Sequence, residues 1–333
     1  MKNRYQGNAV CLAAFVASVA DKLEEEGRYA SARHYRSAAT SLLSYLQAED
    51  IPLSRITSGT VEGYDAWLRS RGKAPNTVSF YNRALRAILN RHEAGRGTAV
   101  FRGFFTGNDA TAKRALPLPA VQKLRALSGR RKRLSPELRL TLDLFLFSLY
   151  ASGISFVDMA FLTPADIRDG YLVYTRRKTH RQLRVKLVPE LQEILDRYAA
   201  QRKGYLFPFL SKRLSARDNY RRYTSALALY NRRLKALGKE LGCPLTSYVA
   251  RHSWASLAYR EVGSPIGAIS AALGHASERT TRIYLADLAT ETVDRLNERV
   301  LAVMRKRKNP SLGKRQISGR EYSVFQFLMQ GFF

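Results

Sequence analysis

The sequence predicts a mainly α-helical protein with a small antiparallel β element, arranged as a helical N-terminal domain followed by an α+β domain. Three observations carry that prediction. Apolar residues recur at helical spacing through the first hundred positions and again from Glu190 onward. The stretch YLVYTRRKTHRQLRVKLV (171–188) alternates as strands do and breaks near its middle. Between the helical regions, FTGNDATAKR (105–114) holds neither period and reads as a linker.

The elements follow in order. Cys11, Phe15, Val19 and Lys22/Leu23 recur at helical spacing, and Gly27 stops that helix after the acidic run Glu24–Glu26. A second helix covers Ala30 to Gln47, with Tyr35, Leu42, Leu43 and Leu46 inward. Pro52 marks a loop, and a shorter helix spans about Thr60 to Ser70. A turn at Gly72–Pro75 precedes a fourth helix, for which Asn76 is the expected N-cap and Val78, Leu85, Ile88 and Leu89 the apolar stripe. Arg83, Arg86 and Arg91 lie largely off that stripe, and Lys73 sits in the turn before it. A solvated charged face is one reading of them; phosphate contact is the other.

The second domain begins near Leu116. Leu140 to Tyr150 is apolar enough to be a core helix, and 171–188 is a β-hairpin broken at Thr179–Gln182. Helical patterns then continue to about Arg305. The tail carries RKRK at 305–308, a polar stretch, and the apolar YSVFQFLMQGFF. The expected division is 1–105 helical domain, 106–115 linker, 116–305 second domain and 306–333 tail.

Charge narrows the function. Fifty-six Lys and Arg against 27 Asp and Glu leave a formal +29, spread along the whole chain. Such a surface suits a polyanion, because each neutralised phosphate releases condensed counterions. Charge alone does not separate a DNA enzyme from another basic protein, but it favours phosphate contact for Lys73, Arg83, Arg86 and Arg91. Two cysteines, Cys11 and Cys243, argue against a disulfide framework and a cysteine-based zinc site. No apolar run reaches the roughly 18 residues of a membrane span. A cytoplasmic, DNA-associated protein is expected.

The stretch LTSYVARHSWASLAYREVGSPIGAISAALGHASERTTRIYLADL (245–288) concentrates the chemistry. It resembles the C-terminal signature of tyrosine site-specific recombinases of the phage integrase type. That signature has an Arg-His pair on a helix, then LGH, then a Tyr nine residues after the His. Arg251-His252, Leu273-Gly274-His275 and Tyr284 fill those places. YASGISFVDMAFLTPADI (150–167) is similar to the family's first-arginine box, and Lys178 sits near the hairpin turn where the family keeps a lysine. SARHYRSAATSLLSYL and APNTVSFYNRALRAI look like its helical core-binding (SAM-like) domain. YVARHSW with SFVDMA looks most like recombinases of mobile and invertible elements in Bacteroides-type bacteria.

The resemblance implies a fold of a core-binding domain plus an α+β catalytic domain, and an activity that cleaves and rejoins DNA through a phosphotyrosine ester. The residue types suit that chemistry. A phenol makes a reversible ester, so religation needs no metal, ATP or other cofactor. Arg251 offers a planar, permanently charged fork to phosphate oxygens. Lys178 suits a general acid toward the leaving 5′ oxygen. His275 precedes a helix that Ser277 caps, beside which a phosphate can be bonded. The implied partners are duplex DNA carrying specific sites, three further copies of the chain, and accessory DNA-bending proteins; no membrane is involved.

The chain also departs from the pattern. Ser155 stands where the family's first arginine falls, and one donor to a developing oxyanion is worth on the order of 3 kcal/mol. Arg176 is the candidate replacement, since i and i+2 on a strand share a face and would set it beside Lys178. A DNA-backbone contact or a solvated charge is the alternative. Tyr248 replaces a usual His three residues before Arg251, either as a phosphate donor or as packing. Asp158 is expected to buttress the site, His252 to support it from behind, and Trp254 to fill core. The apolar tail packs either on a neighbouring protomer or on its own domain. Three other readings stand beside the recombinase: a non-catalytic DNA-binding relative, a type IB topoisomerase-like enzyme, and a generic basic RNA-binding protein. Retention of Lys178, Arg251, His275 and Tyr284, and the N-terminal domain type, argue against them.

Overall fold

Helical spacing places α1 (Leu12–Glu25) and α2 (Tyr29–Leu46) against each other across a turn at Gly27, whose φ of 73° suits glycine. The computed structural model describes residues 9–109, 115–130, 134–201 and 204–285. The buried row of α1 is Leu12, Val16, Ala20 and Leu23, one position on from the expected Cys11, Phe15 and Val19. Both rows have the right spacing. What selects between them is the start of the helix, where Cys11 bridges Pro52 and Leu12 N–H donates to Ile51 O, turning Leu12 inward.

The third helix, α3 (Ser58–Ser70), starts at a capping box between Thr57 and Thr60. In α4 (Pro75–His92), Pro75 occupies the first helical position and Ala74 the cap, which corrects the expected Asn76 cap. Proline's fixed φ and missing N–H suit that first position. The buried stripe of α4 does include Val78, Leu85, Ile88 and Leu89. A short α5 (Arg96–Val100), unmarked in the sequence, closes this half.

The expected linker is not free over its first part. Asn76 bonds the Asp109 backbone in both directions, at 2.9 Å to O and 2.7 Å from N. Ser79 Oγ donates to Gly107 O, and Asn82 Nδ2 to Phe105 O at 3.3 Å. Arg83 reaches Asn108 Oδ1 and Arg86 reaches Thr106 Oγ1, each at 3.0 Å. Successive turns of α4 thus hold 105–109; residues 110–114 lie outside the described ones.

A second hydrophobic cluster runs from Leu116 to Ala250. Around it are α6 (Leu118–Gly129), α7 (Pro136–Tyr150), α8 (Phe156–Ala160), α9 (Pro189–Arg197), α10 (Ala216–Glu240) and α11 (Val249–Arg260). In α7, every residue from Thr141 to Leu149 is buried, so the helix is wrapped on all sides. It starts four residues before the expected Leu140, capped by Ser135, whose Oγ accepts from Leu138 N–H. Strands β1 (Ile167–Arg168), β2 (Tyr171–Thr175) and β3 (Gln182–Lys186) form one antiparallel sheet in sequence order. Thr175 pairs with Gln182, so the hairpin turn is Arg176–Arg181, opening three residues earlier than expected. Beyond α11 come α12 (Ile266–Leu273) and α13 (Glu278–Leu285). The stacked rings of Tyr29 and Tyr220, 5.1 Å apart, and an ion pair between Glu24 and Arg217 join the two halves. The expected helical stretch to Arg305 beyond Leu285, and the tail, lie outside the described residues.

Candidate active site

Arg251 is carried on the first turn of α11, and its side chain is only 2% exposed. Its Nη1 donates to Gly153 O at 2.8 Å and its Nη2 to Leu273 O. Burying a guanidinium is costly unless its N–H groups are satisfied, so these carbonyls hold the fork in one orientation. Gly153 (φ 72°) permits the approach: a Cβ there would lie 2.9 Å from Arg251 Cα. Glycine is therefore required twice over at 153, by the backbone and by the packing.

Helix α12 ends at Gly274, in the left-handed region with φ 60°. That turn delivers His275, 5% exposed, with Nε2 3.1 Å from Arg251 Nη2 and Nδ1 2.8 Å from Thr281 Oγ1. Burial, then the charges of Arg251, Arg176 and Lys178, push the His275 pKa down to about 4. The ring is neutral at physiological pH. Ser277 Oγ accepts from Arg279 N–H and so caps α13.

The hairpin turn clasps the same segment. Arg176 Nη1 donates to Gly274 O at 2.9 Å, Thr179 Oγ1 to the same carbonyl at 3.1 Å, and Arg181 Nη1 to His275 O at 2.7 Å. Arg176 is buried at 5% exposure, and its Nε lies 3.6 Å from Asp158 Oδ2. Asp158, itself buried, accepts from Ser155 Oγ at 2.7 Å and from Arg177 N–H at 2.8 Å. Ser155, Asp158, Arg176, Arg251 and His275 are thereby brought into one cluster. The expected geometry for Arg176 is corrected: β2 ends at Thr175, so Arg176 and Lys178 share a turn, not a strand face, with Arg176 buried and Lys178 exposed.

Other candidate residues stand apart. Tyr248 is 48% exposed at the start of α11, its ring 6.1 Å from that of His252. Trp254 is half-buried against the core. Arg83 and Arg86 are half-buried on the 105–109 segment, and Arg91 lies over the Tyr35 ring. Lys73 is exposed. Tyr284 falls on α13; its side chain lies outside the described part of the structure. Sequence reasoning missed Thr281, fully buried on His275, and Arg181. The signal for Thr281 was present in SERTTRIY, but which of its two threonines faces inward depends on helix phase. Among the described residues, no group of three or more His, Cys, Asp or Glu is placed to hold a metal ion, and no helix is long and apolar enough to cross a membrane.

Comparison with known proteins adds to this geometry. The model of the phage integrase SAM-like domain matches residues 11–92, and that of the phage integrase family matches 122–291. No curated protein matches the chain. Among solved structures, a lambda integrase dimer bound to a COC′ core site is 18% identical with a TM-score of 0.56, covering 85% of this chain and 79% of that one. The Tn1549 transposon integrase in complex with transposon right end DNA is 13% identical with a TM-score of 0.58, covering 88% and 100%. A lambda integrase tetramer bound to a Holliday junction is 18% identical with a TM-score of 0.55, covering 84% and 78%. At these identities the likeness is one of fold.

Proposed function

This chain belongs to the phage integrase family of site-specific DNA recombinases, and we propose that it cleaves and rejoins duplex DNA through a covalent bond to Tyr284. The observation that carries the assignment of the site is the buried cluster of Arg251, Arg176 and His275, held by backbone carbonyls and flanked by Lys178. Fixed positive charge and aimed N–H donors are what a phosphodiester's developing charge needs.

The steps follow from the residues. The Tyr284 oxygen, giving up its proton to water, attacks phosphorus in line, forming the phosphotyrosine bond as the P–O5′ bond breaks. Arg251, Arg176 and His275 bond the nonbridging oxygens, with Arg176 standing in for the arginine absent at Ser155. Ser155 serves instead to hold Asp158, which in turn orients Arg176 and the hairpin backbone. Lys178 protonates the departing 5′ oxygen. The ester conserves the bond energy, so attack by a new 5′ hydroxyl reverses the step without a cofactor.

We assign 1–105 as the core-binding domain, 106–115 as the linker, 116–305 as the catalytic domain and 306–333 as a C-terminal tail. By analogy with the integrase tetramer seen on a Holliday junction, four copies would exchange strands in two steps in a cytoplasmic, nucleoid-associated complex, with accessory DNA-bending proteins. The wording of YVARHSW and SFVDMA supports a Bacteroides-type mobile or invertible element.

The test is a suicide-substrate assay on nicked duplexes carrying the sequences that flank the gene. Wild-type protein should leave a shifted protein–DNA band on a denaturing gel, and Tyr284→Phe should bind equally but leave none. A band from the Phe variant, or none from wild type on DNA it binds, would overturn the assignment.

A further inference from the structure

Thr281 lies on α13 three residues before Tyr284, is 0% exposed, and sets its Oγ1 2.8 Å from His275 Nδ1. The other ring nitrogen, Nε2, is 3.1 Å from Arg251 Nη2. A guanidinium only donates hydrogen bonds, so at that contact Nε2 accepts and the ring proton is on Nδ1, directed at Thr281. A diester's nonbridging oxygens only accept. For His275 to donate to one from Nε2, the ring must change tautomer, and Nδ1 must then accept a hydrogen bond. A threonine hydroxyl serves both states, because turning its hydrogen converts it from acceptor to donor.

We propose that Thr281 is a positioning residue whose hydroxyl lets His275 exchange between an Arg251-bound tautomer and a phosphate-bound one. The inference rests on the reading of Arg251 and His275 as phosphate ligands. One proton leaves Nδ1 and one enters at Nε2 by way of water, while the hydroxyl hydrogen turns toward Nδ1. The ring is neutral before and after. This suits its surroundings, since Arg251 on α11 and Arg176 and Lys178 on the hairpin all oppose a further positive charge there. The same bond ties the exchange to the helix that carries Tyr284. Thr280, its neighbour, is exposed and has no such place.

The experiment uses the full chain with 15N-labelled histidine, as wild type, Thr281→Val, Thr281→Ser and Thr280→Val. Imidazole nitrogen shifts report which nitrogen carries the proton. Wild type, Thr281→Ser and Thr280→Val should show His275 protonated on Nδ1, and Thr281→Val should lose that single state. On the suicide duplex, Thr281→Val should cleave roughly 10- to 100-fold more slowly, by analogy with the loss of a partner that orients a metal-ligating histidine. Serine should restore cleavage, which a merely space-filling role would not require. Unchanged nitrogen shifts in Thr281→Val, or serine failing where valine succeeds, would overturn the proposal; the serine variant keeps the test valid if valine unfolds. Loss of cleavage by every protein, wild type included, would instead count against the recombinase reading, while the shifts would still score the hydroxyl's hold on the ring.

Discussion

Arg176 and Gly274, ninety-eight residues apart in the chain, fit each other closely: the guanidinium donates to the Gly274 carbonyl at 2.9 Å, and a Cβ on Gly274 would lie 3.1 Å from Arg176 Cδ. The glycine makes room for a buried arginine that the hairpin turn supplies. If that arginine performs the work missing at Ser155, Arg176→Ala should bind duplex normally and cleave it about 100-fold more slowly, the scale of removing one oxyanion donor. Ser155→Arg should not be needed for activity. Near-wild-type cleavage by Arg176→Ala would remove Arg176 from the mechanism.

Gly153 and Gly27 both have positive φ, at 72° and 73°, but only Gly153 has atoms within reach of an added Cβ. Gly27→Ala should cost about 1 kcal/mol, from backbone strain alone. Gly153→Ala should cost roughly 1–3 kcal/mol more, because Arg251 and its helix must shift. Urea unfolding midpoints measure both, and equal losses would contradict the packing argument.

His275 gives a pH signature. Its pKa falls from an ordinary 6.5 to about 4 on folding, so the unfolded chain binds the extra proton first. The stability tied to the neutral ring is complete above about pH 6.5 and is lost as pH falls toward 4. Wild type should therefore lose up to about 3 kcal/mol between pH 7 and 4 that His275→Gln does not lose. Parallel unfolding profiles for the two proteins would exclude a strongly shifted His275.

The Asp109 amide is held by Asn76 Oδ1 at 2.7 Å. Asn76→Ala should speed hydrogen exchange at Asp109 and its neighbours by about tenfold or more, the equivalent of roughly 1 kcal/mol, while leaving the α7 core protected. No change at Asp109 would mean the segment is held by other bonds.

Much of the fold was legible because local period and turn chemistry agreed with the final packing. The apolar row of α7 and the alternation at 171–188 are strong signals of that kind. Phase and boundary were less legible. For α1, two rows one residue apart both satisfied helical spacing, and the Cys11–Pro52 bridge, a contact forty-one residues away in sequence, chose between them. At α4, Ala74 took the cap expected of Asn76, with Pro75 opening the helix, and Asn76 instead holds Asp109. The polar row that holds 105–109 resembles a solvated face until its distant acceptors are known. At the site, LGH and the spacing to Tyr284 marked the chain positions, and the first-arginine box exposed the gap at Ser155. The grouping of Ser155, Asp158 and Arg176, and the role of Thr281, depend on how a turn meets a helix end, which no local pattern encodes.

The most direct measurement of the central claim is mass spectrometry of the protein–DNA adduct after nuclease and trypsin digestion. Cleavage after Arg282 and Arg295 isolates the peptide Ile283–Arg295, which contains one tyrosine. A nucleotide bonded to Tyr284 in that peptide is the expected result. A nucleotide on any other peptide, or an adduct that persists in Tyr284→Phe, would contradict it.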